Sequence, residues 1–177
     1  VAWDQALRDA PGLRFVVGRA GDFVGPGAGP GGALMSMDAM AGLARGRRVL
    51  LVGDPEATHA FSYVPDVVEG LAALGTAGSD VEGRVFHLPV VAVRPRALVA
   101  AVADGLGARA GTLVVPGWAI RLLGPVVPLL RELRETLYQW DRPFLVDDGA
   151  FRARFPRVGS DVAGVVKGVV AAVAGAA

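Results

Sequence analysis

Residues 12–27 read Gly-Leu-Arg-Phe-Val-Val-Gly-Arg-Ala-Gly-Asp-Phe-Val-Gly-Pro-Gly. The apolar run Leu13–Arg19 suits a strand covered on both faces, because a parallel sheet sandwiched by helices turns neither face to water. Gly25-Pro26-Gly27 closes the extended structure. Proline fixes φ and lacks an N–H, and glycine supplies the backbone angles that sharp turns demand. Gly25–Gly32 holds five glycines and two prolines in eight residues, which predicts an irregular loop and a candidate lid. In an open α/β sheet, ligands gather beyond the carboxyl ends of the strands, so the turn is expected to border a binding site.

Downstream, the chain alternates strand and helix signals. Ala33–Arg45 can form a helix, Arg48–Val52 a strand ending at Gly53-Asp54-Pro55, and Ala60–Val64 a second extended piece. Pro65 opens a helix whose first turn carries Asp66, where a carboxylate meets the positive end of the helix dipole. Arg84–Leu88 predicts another strand. A helix follows from Pro95 to Leu106, with Leu98, Val99 and Val102 on one face and Gly107 as its stop. Thr112–Val115 is extended, and Pro125 and Pro128 should split the helical region that Pro116 opens. Ser160-Asp161 caps a last helix bearing Val162, Val165, Val166, Val169, Val170 and Val173 at helical spacing. The expected architecture is one α/β domain over residues 1–177. Parallel sheet strands lie near 13–19 and 84–88, and a mostly helical region covers 33–74 and 95–173.

Composition narrows the function. The 177 residues are 53% hydrophobic and 20% charged, which suits a packed core and argues against disorder. A net charge of +1, with the two signs interspersed, leaves no basic footprint for nucleic acid or an anionic membrane. The apolar stretch Gly111–Leu130 is broken by Arg121 and three prolines, short of the roughly 20 clean residues that span a bilayer. No signal-peptide pattern is present, and a cytoplasmic location is expected. Zero cysteines and two histidines argue against a metal site. His87, within an apolar strand, reads as a satisfied core or edge residue. Asp147-Asp148 reads as helix-capping carboxylates rather than a catalytic pair.

Four blocks then stand in order: Arg19–Gly27, His59–Val67 (His-Ala-Phe-Ser-Tyr-Val-Pro-Asp-Val), Val85–Pro89 and Leu137–Phe144 (Leu-Tyr-Gln-Trp-Asp-Arg-Pro-Phe). Taken together they resemble the C-terminal, substrate-binding half of an NAD(P)-dependent epimerase/dehydratase, in the extended or atypical branch of the short-chain dehydrogenase/reductase superfamily. The resemblance implies a partial Rossmann-type parallel sheet beside the substrate-binding region. It also implies oxidoreductase or epimerase chemistry with NAD or NADP and a small-molecule substrate. It places Ala20, Gly21 and Asp22 beside the nicotinamide and puts Phe23, Gly25, Pro26, His59 and Tyr63 around the substrate, with Arg142 able to close the pocket.

The departures from that family matter as much. Asp22 stands where sugar-nucleotide epimerases usually have asparagine, Val24 replaces a tyrosine, and His59 replaces an arginine that commonly meets a substrate phosphate. The glycine-rich turn that cradles a pyrophosphate follows no strand here. The family's tyrosine, followed one helical turn later by a lysine, has no counterpart, because the tyrosines are Tyr63 and Tyr138 and the only lysine is Lys167. Two expectations result. One is a substrate-binding half that works with a separate dinucleotide-binding segment and has no catalytic residue of its own. The other is a non-catalytic binding module or gene remnant that self-associates through its uncovered sheet.

Overall fold

A computed structural model describes residues 5, 9–10, 12–29 and 35–175, without the side chains of 128–130. The tip of the glycine-rich loop, 30–34, and the start of the helix expected from Ala33 lie outside the described residues.

The apolar run Leu13–Val24 does not make one strand. Strand β1 (Val17–Arg19) pairs in parallel with β5 (Val85–His87), in the register Val17↔Val85 and Arg19↔His87. The chain then breaks at Ala20-Gly21 and re-enters extended structure as β2 (Asp22–Val24), which belongs to a different sheet. There β2 lies parallel to β4 (His59–Tyr63), and β4 pairs antiparallel with β6 (Val91–Val93). A third sheet joins β3 (Val49–Val52) to β7 (Thr112–Val115) in parallel. The parallel pair expected at 13–19 and 84–88 is therefore present but shorter, and Leu13 lies 49% exposed ahead of it. The Gly25-Pro26-Gly27 turn ends β2 rather than the strand that starts the run. The helical stretches expected at 33–74 and 95–173 are interleaved with β3, β4 and β7, and β6 comes from residues with no clear strand signal.

Helix boundaries follow local chemistry. Helix α1 (Met37–Ala44) begins where Ser36 Oγ accepts the Ala39 N–H at 3.3 Å. Helix α2 (Val64–Gly75) carries Pro65 in its first turn, and α3 (Pro95–Gly105) stops just before Gly107, whose φ of 62° turns the chain so that the Ala108 N–H reaches the Ala103 carbonyl at 2.9 Å. Pro125 and Pro128 separate α4 (Gly117–Leu123) from α5 (Pro128–Thr136). After α6 (Gly149–Arg154), the Asp161 side chain accepts the Gly164 N–H at 2.7 Å and starts α7 (Val162–Gly175).

The main core lies between the β2–β4–β6 sheet and helices α1, α3 and α7, and it contains Val24, Met40, Phe61, Leu98, Val102 and the stripe Val165, Val169 and Val173. A second cluster sits under β5, where Phe86 packs against Phe151 of α6 and Val67 and Leu74 of α2. Tyr63 joins α7 to the turn after β2. Its ring edge occupies the space a Cβ on Gly25 would need, and its hydroxyl occupies the space beside Gly168. Alanine normally suits a helix interior better than glycine by about 1 kcal/mol. Gly168→Ala is nevertheless expected to destabilise the fold by about 1–3 kcal/mol through overpacking against Tyr63. Tyr63→Phe in the same chain should recover part of that loss in urea unfolding midpoints.

Candidate functional site

The break between β1 and β2 sets the geometry of the site. Gly21 passes so close to β4 that a Cβ would stand 3.2 Å from the Ala60 carbonyl oxygen, and its N–H donates to the buried Ser62 Oγ at 2.9 Å. This places Asp22 opposite Phe61 and within reach of His59 at the head of β4. Phe144 completes the edge of β4 ahead of β2: its N–H donates to the Thr58 carbonyl and its carbonyl accepts the Ala60 N–H, both at 2.9 Å.

His59 is 1% exposed. Its ring stacks on Trp140 with centroids 4.2 Å apart and planes 7° from parallel, and Phe61 and Phe144 enclose it at 4.7 and 5.3 Å. Nε2 lies 2.6 Å from Asp22 Oδ2, and Nδ1 lies 3.2 Å from the Gln139 carbonyl oxygen. Both nitrogens therefore face oxygen atoms of the protein. The Trp140 segment is itself pinned. The Asp54 N–H reaches the Trp140 carbonyl at 2.8 Å, Gly53 leaves no room for a Cβ beside it, and Asp141 pairs with Arg121.

The other expected site residues divide between this corner and the core. Asp22 keeps 42% of its side-chain surface and Phe23 is 43% exposed, and as successive residues of β2 they face opposite sides of the sheet. Ala20 is exposed beside them. Gly25 has a φ of 96° and its carbonyl accepts the Ala28 N–H at 3.0 Å, which makes Gly25-Pro26-Gly27 a tight turn. Tyr63, 9% exposed, belongs to the core and forms the wall behind that turn. Arg142 is exposed in the bend after Trp140.

The remaining polar residues do structural work. Asp66 is buried and ties α2 to the start of α7, accepting from Ser160 N–H at 2.7 Å and Ser160 Oγ at 2.9 Å. His87 is an exposed edge residue facing the Asp147 carbonyl at 2.9 Å. Asp147 accepts the Gly149 N–H, and Asp148 holds the Val90 N–H and Arg152, so the two carboxylates serve separate partners. Two surface depressions, one between Phe15 and Gly78 and one between α3 and α7, are lined by none of the expected site residues. Among the described residues, no group of three His, Asp or Glu is placed to hold a metal, and no helix is long and apolar enough to cross a membrane.

Three participants are not singled out by the sequence. Trp140 lies within the block Leu137–Phe144, and its aromatic type was the available signal. Gln139 acts through its backbone carbonyl, which leaves no trace in residue type. Ser62 reads as an ordinary strand residue until Gly21 is brought against it.

Replacing His59 by phenylalanine keeps the stack and removes both polar contacts. His59→Phe is expected to lower stability by about 1–3 kcal/mol in chemical denaturation, the cost of leaving the Gln139 carbonyl and Asp22 without their partner. Burial, and behind it the Asp66 charge, holds the Tyr63 hydroxyl above its usual value of 10.0. The folded state thus favours the neutral phenol. That stability is fully present below the unfolded value near 10 and is lost as pH rises toward the folded value. Tyr63→Phe should flatten this alkaline loss in urea midpoints measured on either side of about pH 10.

Comparison with known proteins bears on the fold. The model of the NAD dependent epimerase/dehydratase family matches residues 3–88. No curated protein matches the chain in sequence. Among solved structures, the chain is similar to the GalE-like L-threonine dehydrogenase of Cupriavidus necator, with a TM-score of 0.70 and 16% identity, covering 96% of this chain and 57% of that one. The UDP-glucuronic acid 4-epimerase of Bacillus cereus, solved with UDP-glucuronic acid and NAD, matches with a TM-score of 0.64 and 12% identity over 92% of this chain and 46% of that one. RMD from Pseudomonas aeruginosa, complexed with NADPH, gives 0.61 and 16% over 90% and 48%. The chain thus spans about half the length of the structures it resembles. Over residues 3–88 it carries the pattern of the NAD dependent epimerase/dehydratase family, and as a whole it has the α/β fold of these epimerases and dehydrogenases.

Proposed function

We propose that this chain is the substrate-binding, C-terminal half of an NAD(P)-dependent epimerase/dehydratase-like oxidoreductase, and that it acts with a separate dinucleotide-binding segment. The observation that carries the reading is the crossing at Ala20-Gly21. It leads directly from the carboxyl end of a parallel strand, where cofactors lie in open α/β sheets, to Asp22 and Phe23, both partly exposed. Ala20, Gly21 and Asp22 border the nicotinamide in this reading, while Phe23, the Gly25-Pro26 turn and Arg142 face a small-molecule substrate.

The residues present fit one wall of a cofactor site rather than a whole one. The Gly21 N–H is already spent on Ser62, and the glycines at 25 and 27 shape a turn against Tyr63 and Val64. Pyrophosphate binding therefore falls to the other segment. A bound nicotinamide supplies hydride transfer, and this chain's part is to orient the substrate and exclude water. The half-bare β1–β5 sheet supports the need for a partner, since Leu13, Leu71 and Val85 around it are 38–49% exposed and apolar.

Co-expression with the polypeptide encoded upstream, followed by NAD(P)H fluorescence titration, tests the reading. Saturable enhancement is expected in the complex, and none with the 177 residues alone. Failure of every such complex to bind cofactor overturns it. Light scattering of the isolated chain separates the interaction-module alternative, which requires self-association that persists when the partner is present.

A further inference from the structure

Helix α7 has more apolar surface than the core of its own chain covers. Apart from Lys167, every residue of Val162–Gly175 is Val, Ala or Gly. Val165, Val169 and Val173 are buried in the main core. Val162, Val166 and Val170, each one position away, are half-buried and line an open groove whose other wall is Ala101 and Gly105 of α3. A helix that is apolar all round belongs under cover on every side, and this side has none among the described residues. Gly105 makes the two helices one platform. A Cβ there would stand 2.8 Å from Val170 Cγ2, so the backbones close together at that end.

The groove carries one charge of each sign, Asp104 on the α3 wall and Lys167 on the α7 wall. Neither has an ion pair among the described residues. Asp104 also stands in the last turn of α3, where the helix dipole disfavours a carboxylate, so the helix itself gives no reason for it. Because Gly105 meets Val170, less than a turn past Lys167, the two charges lie within about one turn of each other along the groove. Such a surface is self-complementary. A two-fold axis running along the groove lays the α3 wall of one copy on the α7 wall of the other, so that each Asp104 faces a Lys167 across an apolar strip. A two-fold axis across the groove would set like charges together, which the charges select against. The segment that would complete a cofactor site meets a different surface, since the half-bare β1–β5 sheet packs on α2 and α6 in a separate cluster. We propose that the α3–α7 groove is a two-fold interface between two copies of this chain, held by an Asp104–Lys167 pair on each side. The inference goes beyond the reading of the chain as a substrate-binding half and does not depend on it.

Sedimentation equilibrium of the chain tests the interface. A reversible dimer is expected. Asp104 and Lys167 are both exposed, and Asp104→Lys or Lys167→Asp turns two attractive pairs into two repulsive ones, which should weaken the dimer about tenfold. Combining the two substitutions restores opposite charges across the axis and should restore association. Leu13→Lys, beside the uncovered β1–β5 sheet, should leave the dimer intact. A monomer at every concentration overturns the proposal. So does a dimer indifferent to both reversals, or a double variant as weak as the single ones. A dimer lost in Leu13→Lys and kept in the reversals belongs to the sheet and overturns it as well. Circular dichroism identifies a reversal that unfolds the chain, and the other reversal then decides.

Discussion

Two residues separate the end of one sheet from the start of another, and the fold is organised around that constraint. A backbone that leaves β1 at Arg19 and joins β2 at Asp22 must pass against β4 with no side chain in the way. Gly21 permits the approach, and Ser62 takes up the N–H that leaving the first sheet would otherwise orphan. Because β2 is only three residues long, its register on β4 depends on this contact and on the Asp22–His59 pair directly beside it. The helices that cover β4 inherit their positions from the same point, since Tyr63 at its far end is wedged between the Gly25 turn and α7.

The corner at Asp22 combines a rigid interior with an open exterior. On the inside, His59 is bonded at both nitrogens and stacked, and the loop that supplies Trp140 is fastened by Asp54, Gly53 and the Arg121–Asp141 pair. A buried polar network whose members are all satisfied holds its geometry without the cost of an orphaned group. On the outside, Asp22 keeps 42% of its side-chain surface.

The sequence was legible wherever one local rule dominated. Proline placed the starts of α2, α3 and α5, Gly107 the end of α3, and the valine period the buried stripe of α7. The strands β3, β4 and β7 lie within a residue of their expected limits. The division of Leu13–Val24 between two sheets was not legible, because apolar residues run through both strands and only the partners of each, far along the chain, decide where one sheet ends. Strand β6 was hidden for a related reason: Val91-Ala92-Val93 is too short to show a period and becomes a strand through His59–Phe61. At the site, His59 was recognisable as a residue of interest. Its enclosure by Trp140 and its second hydrogen bond depend on Phe144 lying along β4, a pairing without any local signature.

The sheet partnerships also bear on how the chain reaches this structure. Val17 meets Val85, Asp22 meets Phe61 and Val49 meets Thr112, so each parallel pair closes a loop that contains whole helices. Contacts of that range are assembled late, since the entropy of closure is spent before any hydrogen bond rewards it. Helices α2, α3 and α7 can gain structure early, whereas β1, β2 and β3 must wait for distant partners with their edges bare. Docking of these short parallel strands, the same step that brings Asp22 to His59, is accordingly expected to be a slow event in folding.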